Sequence, residues 1–299
     1  MNMKKIFSFA NGGFGNRIPS LLFGKALKKI TNFDLEISWP TNNTCRASYR
    51  DIFEDHENVL DLLPSKFFDT YGNDPNNFEF IINDANISNY SKFKQVRSLQ
   101  SFKNVNEIAQ YFSNSTTNNL FLAAGPIIPD YFWSDEFLIK TLSEIKFKEE
   151  YYNIVNEFLS NIGGDFVGIH LRATDFPPNL MHNFNKIYED IKTNKEQKYF
   201  ICSDDVSIEN KFKELSNVFV FPKNEYTKKI NPNKDWTGTK GFVNDENNIA
   251  LSYNVEIGIE SIRGAIVDIL LLSHAKKIIE TRGSTFSLFA RLLQQTYNL

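Results

Sequence analysis

Strand-like and helix-like segments alternate along the chain, and this alternation restricts the possible folds more than any other feature. The first apolar run, "KKIFSFA" at 4–10, is followed by a glycine-rich turn and by a helical pattern that includes Leu21, Leu22 and Leu27. A second strand-like run, "FDLEISW" at 33–39, comes next. A strand, a helix and a strand in this order and of this length predict a βαβ unit with parallel strands.

The same alternation continues to the end of the chain. A helical stretch around 134–164 separates the two halves, and the last helical pattern is "STFSLFARLLQQTY" at 284–297. The further strand-like runs are "FEFIIND" at 78–84, "NLFLAAG" at 119–125, "DFVGIHLR" at 165–172, "KYFICS" at 198–203, "VFVFP" at 218–222 and "KKIIE" at 276–280. The pattern predicts an α/β protein with two parallel-sheet domains, at 1–145 and 146–299.

Composition excludes several classes of protein. The 299 residues have a formal net charge of -3, which gives no electrostatic basis for binding nucleic acid. The two cysteines, Cys45 and Cys202, are far apart and fit neither a disulfide framework nor a zinc site. The N-terminal apolar run is too short for a signal peptide, and no run is long enough to predict a membrane span. We therefore expect a cytoplasmic protein.

The glycine-rich turn at 11–15 matches neither of the common phosphate-binding motifs. Gly13 and Gly15 fit the first two glycines of the dinucleotide fingerprint G-x-G-x-x-G, but the third position is Ile18. The G-K-[ST] of a P-loop is also absent. Glycines still allow a ligand to approach the backbone, and Asn16 and Arg17 follow at the start of the helix. A plain tight turn with an Asn cap is the alternative.

Polar residues follow three strands of the second half. Ligands of parallel sheets bind beyond the carboxyl ends of the strands, so these residues are candidates for a site. They are His170, Arg172 and Asp175, then Ser203, Asp204 and Asp205, and finally Ser284, Thr285 and Ser287. Each group also fits an ordinary helix cap or a surface position. Together they offer a cation, hydroxyl groups and carboxylates, which suit a nucleoside diphosphate.

Four segments in this order carry a resemblance to a known family: "GGFGNR", "HLRATDF", "CSDD" and "SIRGAIVDILLLSHAKKIIETRGSTFSLFARLL". The set resembles the GDP-fucose-dependent fucosyltransferases, a superfamily with α1,2-, α1,6- and protein O-fucosyltransferases, and is most similar to the α1,6 branch that includes the nodulation enzymes. The resemblance implies a GT-B fold, in which two Rossmann-like domains face a cleft. It also implies an inverting transfer that needs no metal and no cofactor besides the GDP-sugar donor.

The resemblance also assigns roles to individual residues. Arg172 matches the arginine that binds the diphosphate, and Asn16 matches a residue close to the donor. The other positions that match the donor site are Gly13, Gly15, Arg17, His170, Ser203, Asp204, Asp205, Arg263, Asp268, Ser284, Thr285, Phe286 and Ser287.

Two departures from the family pattern concern catalysis. The family often has a second arginine where this chain has Ala173, so Arg17, Arg263 or Arg282 would have to supply that charge. Where the α1,6 branch carries a glutamate proposed as the base, this chain has Leu180. His182, two residues further on, is then the candidate base, and Asp175 is its rival.

The expected function is transfer of a sugar, L-fucose by analogy, from a GDP-sugar to an oligosaccharide or lipid-linked glycan, in the synthesis of a surface polysaccharide or glycoconjugate. Membrane contact would be peripheral at most. Three alternatives stay open: transfer of a GDP-heptose or another deoxysugar, a nucleotide-sugar-binding protein without catalysis, and, less favoured, an oxidoreductase or kinase. Aromatic residues such as Tyr131 and Trp236 fit either an acceptor platform or core packing. The polar stretch 223–249 fits either a lid or a plain loop.

Overall fold

The computed structural model describes residues 4–62, 67, 77–83, 95–125, 128–173, 184–233, 243–244, 250–251 and 254–297. The chain divides into two compact units. The first comprises 1–41, 48–146 and 295–299, and the second comprises 42–47 and 147–294. The stretch 42–47 belongs to the second unit, although the residues on both sides of it belong to the first. The stretch 295–299 belongs to the first unit, although the residues before it belong to the second. A single boundary in the sequence therefore does not describe the two units.

The first unit alternates strands and helices. Its elements are β1 (Lys5–Phe9), α1 (Phe14–Thr31), β2 (Asp34–Ser38), α2 (Tyr49–Ile52), β3 (Asn58–Leu60), β4 (Phe78–Ile82), β5 (Val96–Ser98), α3 (Val105–Asn114), β6 (Asn119–Ala123) and α4 (Glu136–Ser143), with 3-10 turns at Leu99–Ser101 and Asp130–Ser134. The strands form one six-stranded sheet in the order β3-β2-β1-β6-β4-β5, and every pairing is parallel.

Phenylalanine side chains form much of the core on one face of this sheet. Phe7 and Phe9 of β1 are two residues apart, so they point to the same face, as do Phe78 and Phe80 of β4. Phe121 of β6, the strand between them, stacks on Phe9 with ring centroids 4.1 Å apart. The period of two in the sequence therefore builds an aromatic layer across three neighbouring strands.

The second unit follows the same plan. Its elements are α5 (Glu149–Ile162), β7 (Phe166–Leu171), α6 (Phe184–Thr193), β8 (Lys198–Ser203), α7 (Val206–Lys213), β9 (Val218–Phe219), β10 (Val243–Asn244), β11 (Ala250–Leu251), α8 (Ile259–Ser273), β12 (Lys277–Ile279) and α9 (Thr285–Thr296). Four strands form a parallel sheet in the order β12-β7-β8-β9, and β10 and β11 form a separate antiparallel pair.

Buried strands explain why the second sheet is apolar along its length. Every residue of β7 is buried, as expected for a parallel strand whose two faces are both covered. On one face Ile169 and Leu171 pack with Ile191 of α6 and Phe212 of α7. The helix α8 contacts β7 and β8 and is buried along most of its length, in keeping with its mostly apolar sequence.

The predicted α/β class with parallel sheets is confirmed in both units, although β3 and β5 were not predicted, because the residues around them show no clear strand pattern. Within the described ranges, no helix is both long enough and apolar enough to cross a membrane. Cys45 and Cys202 are both buried and unbonded to each other. Of the polar stretch 223–249, the structure describes 223–233 and the short strand β10.

Candidate functional site

The carboxyl ends of β7 and β12 are joined by hydrogen bonds in the second unit. The backbone N–H of Arg172 donates to Thr281 Oγ1 at 3.2 Å, and the Thr281 hydroxyl donates to the His170 carbonyl oxygen at 2.7 Å. Because β7 and β12 are parallel neighbours, their ends meet at one edge of the sheet. The residues predicted after these two strands therefore lie together, and Thr281, one of those polar residues, is the link between them.

The end of β8 joins the same edge. Asp204 accepts the backbone N–H of Ala173 at 2.8 Å, and its second carboxylate oxygen lies 3.9 Å from Arg172 Nε. Ser203 donates its hydroxyl to the Leu171 carbonyl oxygen at 2.6 Å. These contacts hold the carboxylate of Asp204 beside Arg172, whose side chain is 27% exposed.

The two aspartates after β8 have different roles. Asp205 caps α7, since its side chain accepts the backbone N–H of Ser207 at 2.7 Å. Asp204 instead contacts the end of β7. Sequence reasoning treated both as donor-binding candidates, and the geometry places only Asp204 next to Arg172.

The turn before α9 has the features of an anion site. Gly283 has φ +76°, a left-handed conformation that favours glycine, and Ser284 N donates to the Thr281 carbonyl oxygen at 3.0 Å. The hydroxyl of Ser284 is buried and has no hydrogen-bond partner. The first N–H groups of a helix lack partners within its own ladder and carry a partial positive charge. A buried free hydroxyl at such a helix start suits a phosphate.

His170, Phe286 and Ser287 form the support behind this turn. His170 is buried, and its Nδ1 lies 2.7 Å from Ser287 Oγ. Its ring stacks on Phe286 at a centroid distance of 4.5 Å and an interplanar angle of 24°. These contacts tie the first turn of α9 to β7, so a direct ligand contact is not needed to explain a histidine at this position.

A buried ionic network, which was not predicted from the sequence, lies behind the end of β8. The ammonium group of Lys223 donates to the Ser203 carbonyl oxygen at 2.7 Å, to Asp268 Oδ2 at 2.7 Å and to Glu209. Glu209 also accepts the backbone N–H of Ser203 at 2.8 Å and the hydroxyl of Tyr226. Lys223 and Tyr226 come from the polar stretch predicted to be a lid or a loop, so the start of that stretch is fixed.

This network explains two residues of α8, Gly264 and Asp268. Asp268, together with Arg263, was predicted to bind the donor. Gly264 leaves room for the stem of Lys223, because a Cβ there would lie 2.8 Å from Lys223 Cγ. Asp268, one helical turn further on the same face, accepts the ammonium group. Arg263 is exposed and forms an ion pair with Glu260 at 2.6 Å. The structure therefore places Asp268 as a support and Arg263 on the surface.

Burial changes the proton affinity of this network. Burial, together with the nearby carboxylate of Glu209, raises the pKa of Asp268 to about 7 against the attraction of Lys223. Burial alone would lower the pKa of Lys223, yet Asp268 and Glu209 outweigh that effect and raise it overall. Two carboxyl groups share one ammonium group, and Asp268 Oδ1 is buried without a hydrogen-bond partner. A protonated Asp268 relieves this excess of negative charge.

Protein stability should therefore depend on pH through Asp268. The pKa of this group is raised from about 4 in an unfolded chain to about 7 in the folded protein. Between these values the folded protein holds a proton that the unfolded chain has lost, so the free energy of unfolding falls as pH rises through this window. Urea unfolding across the window should show this fall for the wild type and not for Asp268→Asn. Parallel pH dependence of the two proteins would contradict the assignment.

The glycine turn of the first unit differs from its prediction. Among its glycines only Gly12 has positive φ, at +89°. The helix α1 begins at Phe14, whose buried ring contacts Trp39, so Gly15 lies within the first helical turn rather than in the loop. Asn16 donates its backbone N–H to the Gly13 carbonyl oxygen at 2.9 Å and is partly buried.

Arg17 was predicted to face the ligand, and the structure corrects this placement. Its side chain is fully buried. The guanidinium group donates to the carbonyl oxygens of Gly12 and Pro40, at 2.7 Å each, and lies over the Trp39 ring. A buried arginine needs such acceptors, and here they fix the glycine turn. Arg17 is thus a support of the turn and is not available as a second cation for a ligand.

Of the three arginines proposed to replace the missing second arginine, Arg282 remains. It is exposed in the turn before Gly283, and within the described residues its side chain has no hydrogen bond or ion pair. The two candidate bases, Asp175 and His182, lie outside the described residues, as does Trp236. Among the residues that the structure describes, no group of three or more His, Cys, Asp or Glu is placed to hold a metal ion.

Comparison with known proteins finds similarity at the level of structure. The chain matches no protein-family model and no curated protein. It is similar to the crystal structure of NodZ α-1,6-fucosyltransferase co-crystallised with GDP, at 17% identity and a TM-score of 0.57, over 98% of this chain and 93% of that chain. A second structure of that enzyme, soaked with GDP-fucose, matches at 18% identity and a TM-score of 0.57, over the same shares of the two chains.

A third structure, of fucosyltransferase NodZ from Bradyrhizobium, matches at 17% identity and a TM-score of 0.58, over 98% of this chain and 94% of that chain. Identity this low is evidence for a shared fold and not for a shared substrate. The similarity supports the GT-B-like fold that the sequence motifs implied. Over nearly its whole length, this chain has a fold similar to that of the NodZ fucosyltransferase.

Proposed function

We propose that this protein is a glycosyltransferase that moves a sugar from a GDP-sugar to a glycan acceptor, with L-fucose as the first candidate sugar. The observation that carries the proposal is the edge of the second sheet where Thr281 bonds to both Arg172 and Ser284. A cation and a buried free hydroxyl thus lie close to the start of α9. The similar NodZ structures with GDP and GDP-fucose support the choice of donor.

Stabilisation of the leaving group is the chemical task of this edge. Transfer breaks the bond between the sugar and the diphosphate, and negative charge develops on the diphosphate oxygens. Arg172 can donate two parallel hydrogen bonds to such oxygens, while Ser284 and the N–H groups of α9 add further donors. Arg282, exposed in the same turn, supplies the second positive charge. Donors already in place need no rearrangement during the reaction.

Inversion at the sugar requires a base that takes the proton of the acceptor hydroxyl. His182 is our candidate because imidazole titrates near neutral pH, and Asp175 is the rival. The proposed enzyme needs no metal ion and works at the cytoplasmic side of a membrane on an oligosaccharide or lipid-linked acceptor. Turnover assays of His182→Ala and Asp175→Asn, with and without a chelator, test these choices.

Two other functions remain as alternatives. The protein could bind a nucleotide sugar without turnover, since Ala173 and Leu180 stand where the family that the chain resembles has the second arginine and the glutamate. It could also transfer a GDP-heptose or another deoxysugar, because the residues proposed above act on the diphosphate and not on the sugar. Release of GDP from GDP-fucose, measured against release from other GDP-sugars, separates the three.

Calorimetric titration with GDP, UDP, ADP and NAD tests the proposal. We expect selective binding of GDP without added metal, and weaker binding by Arg172→Ala because a charge-assisted pair of hydrogen bonds is lost. Binding of UDP, ADP or NAD in preference to GDP would contradict a GDP-sugar enzyme. Equal GDP affinity in the wild type and in Arg172→Ala would remove Arg172 from the site.

A further inference from the structure

An open hollow lies on the surface of the first unit. It is a hollow of about 530 Å³ between the starts of α3 and α4, next to the 3-10 turn Asp130–Ser134. Its size falls within the usual range for small-ligand sites. Tyr131 lies in its wall together with Lys103, Asn106, Glu136 and Lys140. All these residues are outside the sheet edge described above.

The Tyr131 ring is exposed and yet held in one orientation. Its side chain is 45% exposed, which is unusual for a large aromatic residue. The hydroxyl lies 2.8 Å from the Phe102 carbonyl oxygen and 3.2 Å from that of Gln100. The ring also packs on the buried Phe132, with centroids 4.8 Å apart. A fixed aromatic ring loses little conformational entropy when a ligand stacks on it.

Asp135, another lining residue, holds the backbone around the hollow in place. One carboxylate oxygen accepts the backbone N–H groups of Phe137, at 2.9 Å, and Leu138, at 3.3 Å, while the other accepts that of Val105 at 3.2 Å. The single carboxylate thereby holds the starts of α3 and α4 together. Its bonding capacity is largely used, so its role is to set the shape of the hollow.

The rim offers unused hydrogen-bonding groups. In the described part of the chain, the side chains of Lys103, Asn106, Glu136 and Lys140 make no hydrogen bond or ion pair. They provide ammonium and amide donors together with carboxylate and amide acceptors. This mixture suits neighbouring hydroxyl groups, which both donate and accept. It suits a phosphate less well, because Glu136 and Asp135 would repel it.

We propose that this hollow binds a neutral saccharide, with one pyranose ring stacked on Tyr131. The C–H face of a sugar is apolar and packs on an aromatic ring, while its hydroxyl groups bond to the polar rim. Its role as a subsite for the glycan acceptor rests on the proposed function. The binding itself does not, because no donor is required for it.

Saccharide binding by the full chain tests this inference without any donor. An array of neutral oligosaccharides is probed first, and the strongest binder among them is titrated by calorimetry. Tyr131→Ala should lower the affinity about tenfold or more, since stacking is lost. Tyr131→Phe should stay within about threefold, because the ring remains. Tyr297→Ala removes the other tyrosine that is exposed among the described residues, at 50% exposure, and should leave the affinity unchanged.

The outcomes separate this inference from the proposed function. Absence of any array signal from the wild type, or equal signal from Tyr131→Ala with an unchanged melting temperature, overturns the saccharide site. GDP titration of the same samples reports on the other site, and Tyr131→Ala should bind GDP as the wild type does. If saccharide binding depends on Tyr131 but the protein does not bind GDP, the result supports this inference and contradicts the proposed function.

Discussion

Arg172→Ala is expected to lower turnover of the GDP-sugar by at least about a hundredfold while the protein stays folded. Loss of one preorganised donor to a developing negative charge typically costs about 3 kcal/mol of barrier. The fold should survive because the Arg172 side chain is partly exposed, and an ion pair at the 3.9 Å that separates its Nε from Asp204 Oδ2 contributes little stability. Rate measurements at saturating donor, together with thermal melting, test both parts.

Arg291→Ala is the matched control for this experiment. Arg291 lies on α9 of the same unit, six residues beyond the first residue of the helix, and pairs with Glu280 at 2.8 Å on the surface. Its removal should leave turnover near the wild-type value. A folded Arg172→Ala protein with full activity would show that the edge of the second sheet does not hold the diphosphate.

Lys223→Met is expected to be the most destabilising single change that we consider. The substitution keeps much of the side-chain volume but leaves Glu209 and Asp268 as two buried carboxyl groups without their cation. Removal of one partner from a buried ionic group costs about 3–5 kcal/mol. For a chain of this size the melting temperature should fall by on the order of 10 °C. Turnover should fall as well, because Ser203 and then Asp204 lose their support.

Lys228→Met separates burial from charge as the cause. Lys228 lies five residues further along the same stretch and pairs with Glu225 at 2.6 Å, but its side chain is largely exposed. Exposed pairs contribute about 0–1 kcal/mol, so this variant should melt close to the wild type. Equal melting temperatures for Lys223→Met and the wild type would mean that the network adds nothing to stability.

Much of the fold could be predicted because its signals are local. The alternation of apolar runs and helical patterns depends on residues two to four positions apart, and it identified β1, β2, β4 and the strands of the second sheet. The short strands β3 and β5 lack a pattern of sufficient length. The start of α1 at Phe14 was missed. The glycines on either side of Phe14 favour a turn, but the buried Phe14 ring stabilises the helix at this position.

The candidate site was predictable only in part. The rule that ligands bind at the carboxyl ends of parallel strands brought Arg172, Asp204 and Ser284 together correctly, since the sheet is parallel as expected. The same rule could not distinguish Asp204 from Asp205, because both follow β8. It also could not show that Arg17 is buried, since its acceptors are carbonyl oxygens of Gly12 and Pro40.

By itself, the sequence determined the α/β class, the parallel sheets and the edge at which polar residues collect, because periodicity and strand ends are local properties. Only the tertiary structure decided which polar residues are buried as supports of the site and which remain exposed. Lys223 meets Glu209 and Asp268, which lie 14 and 45 positions away in the chain. No local pattern encodes such a contact, because burial and pairing of charges depend on groups that folding alone brings together.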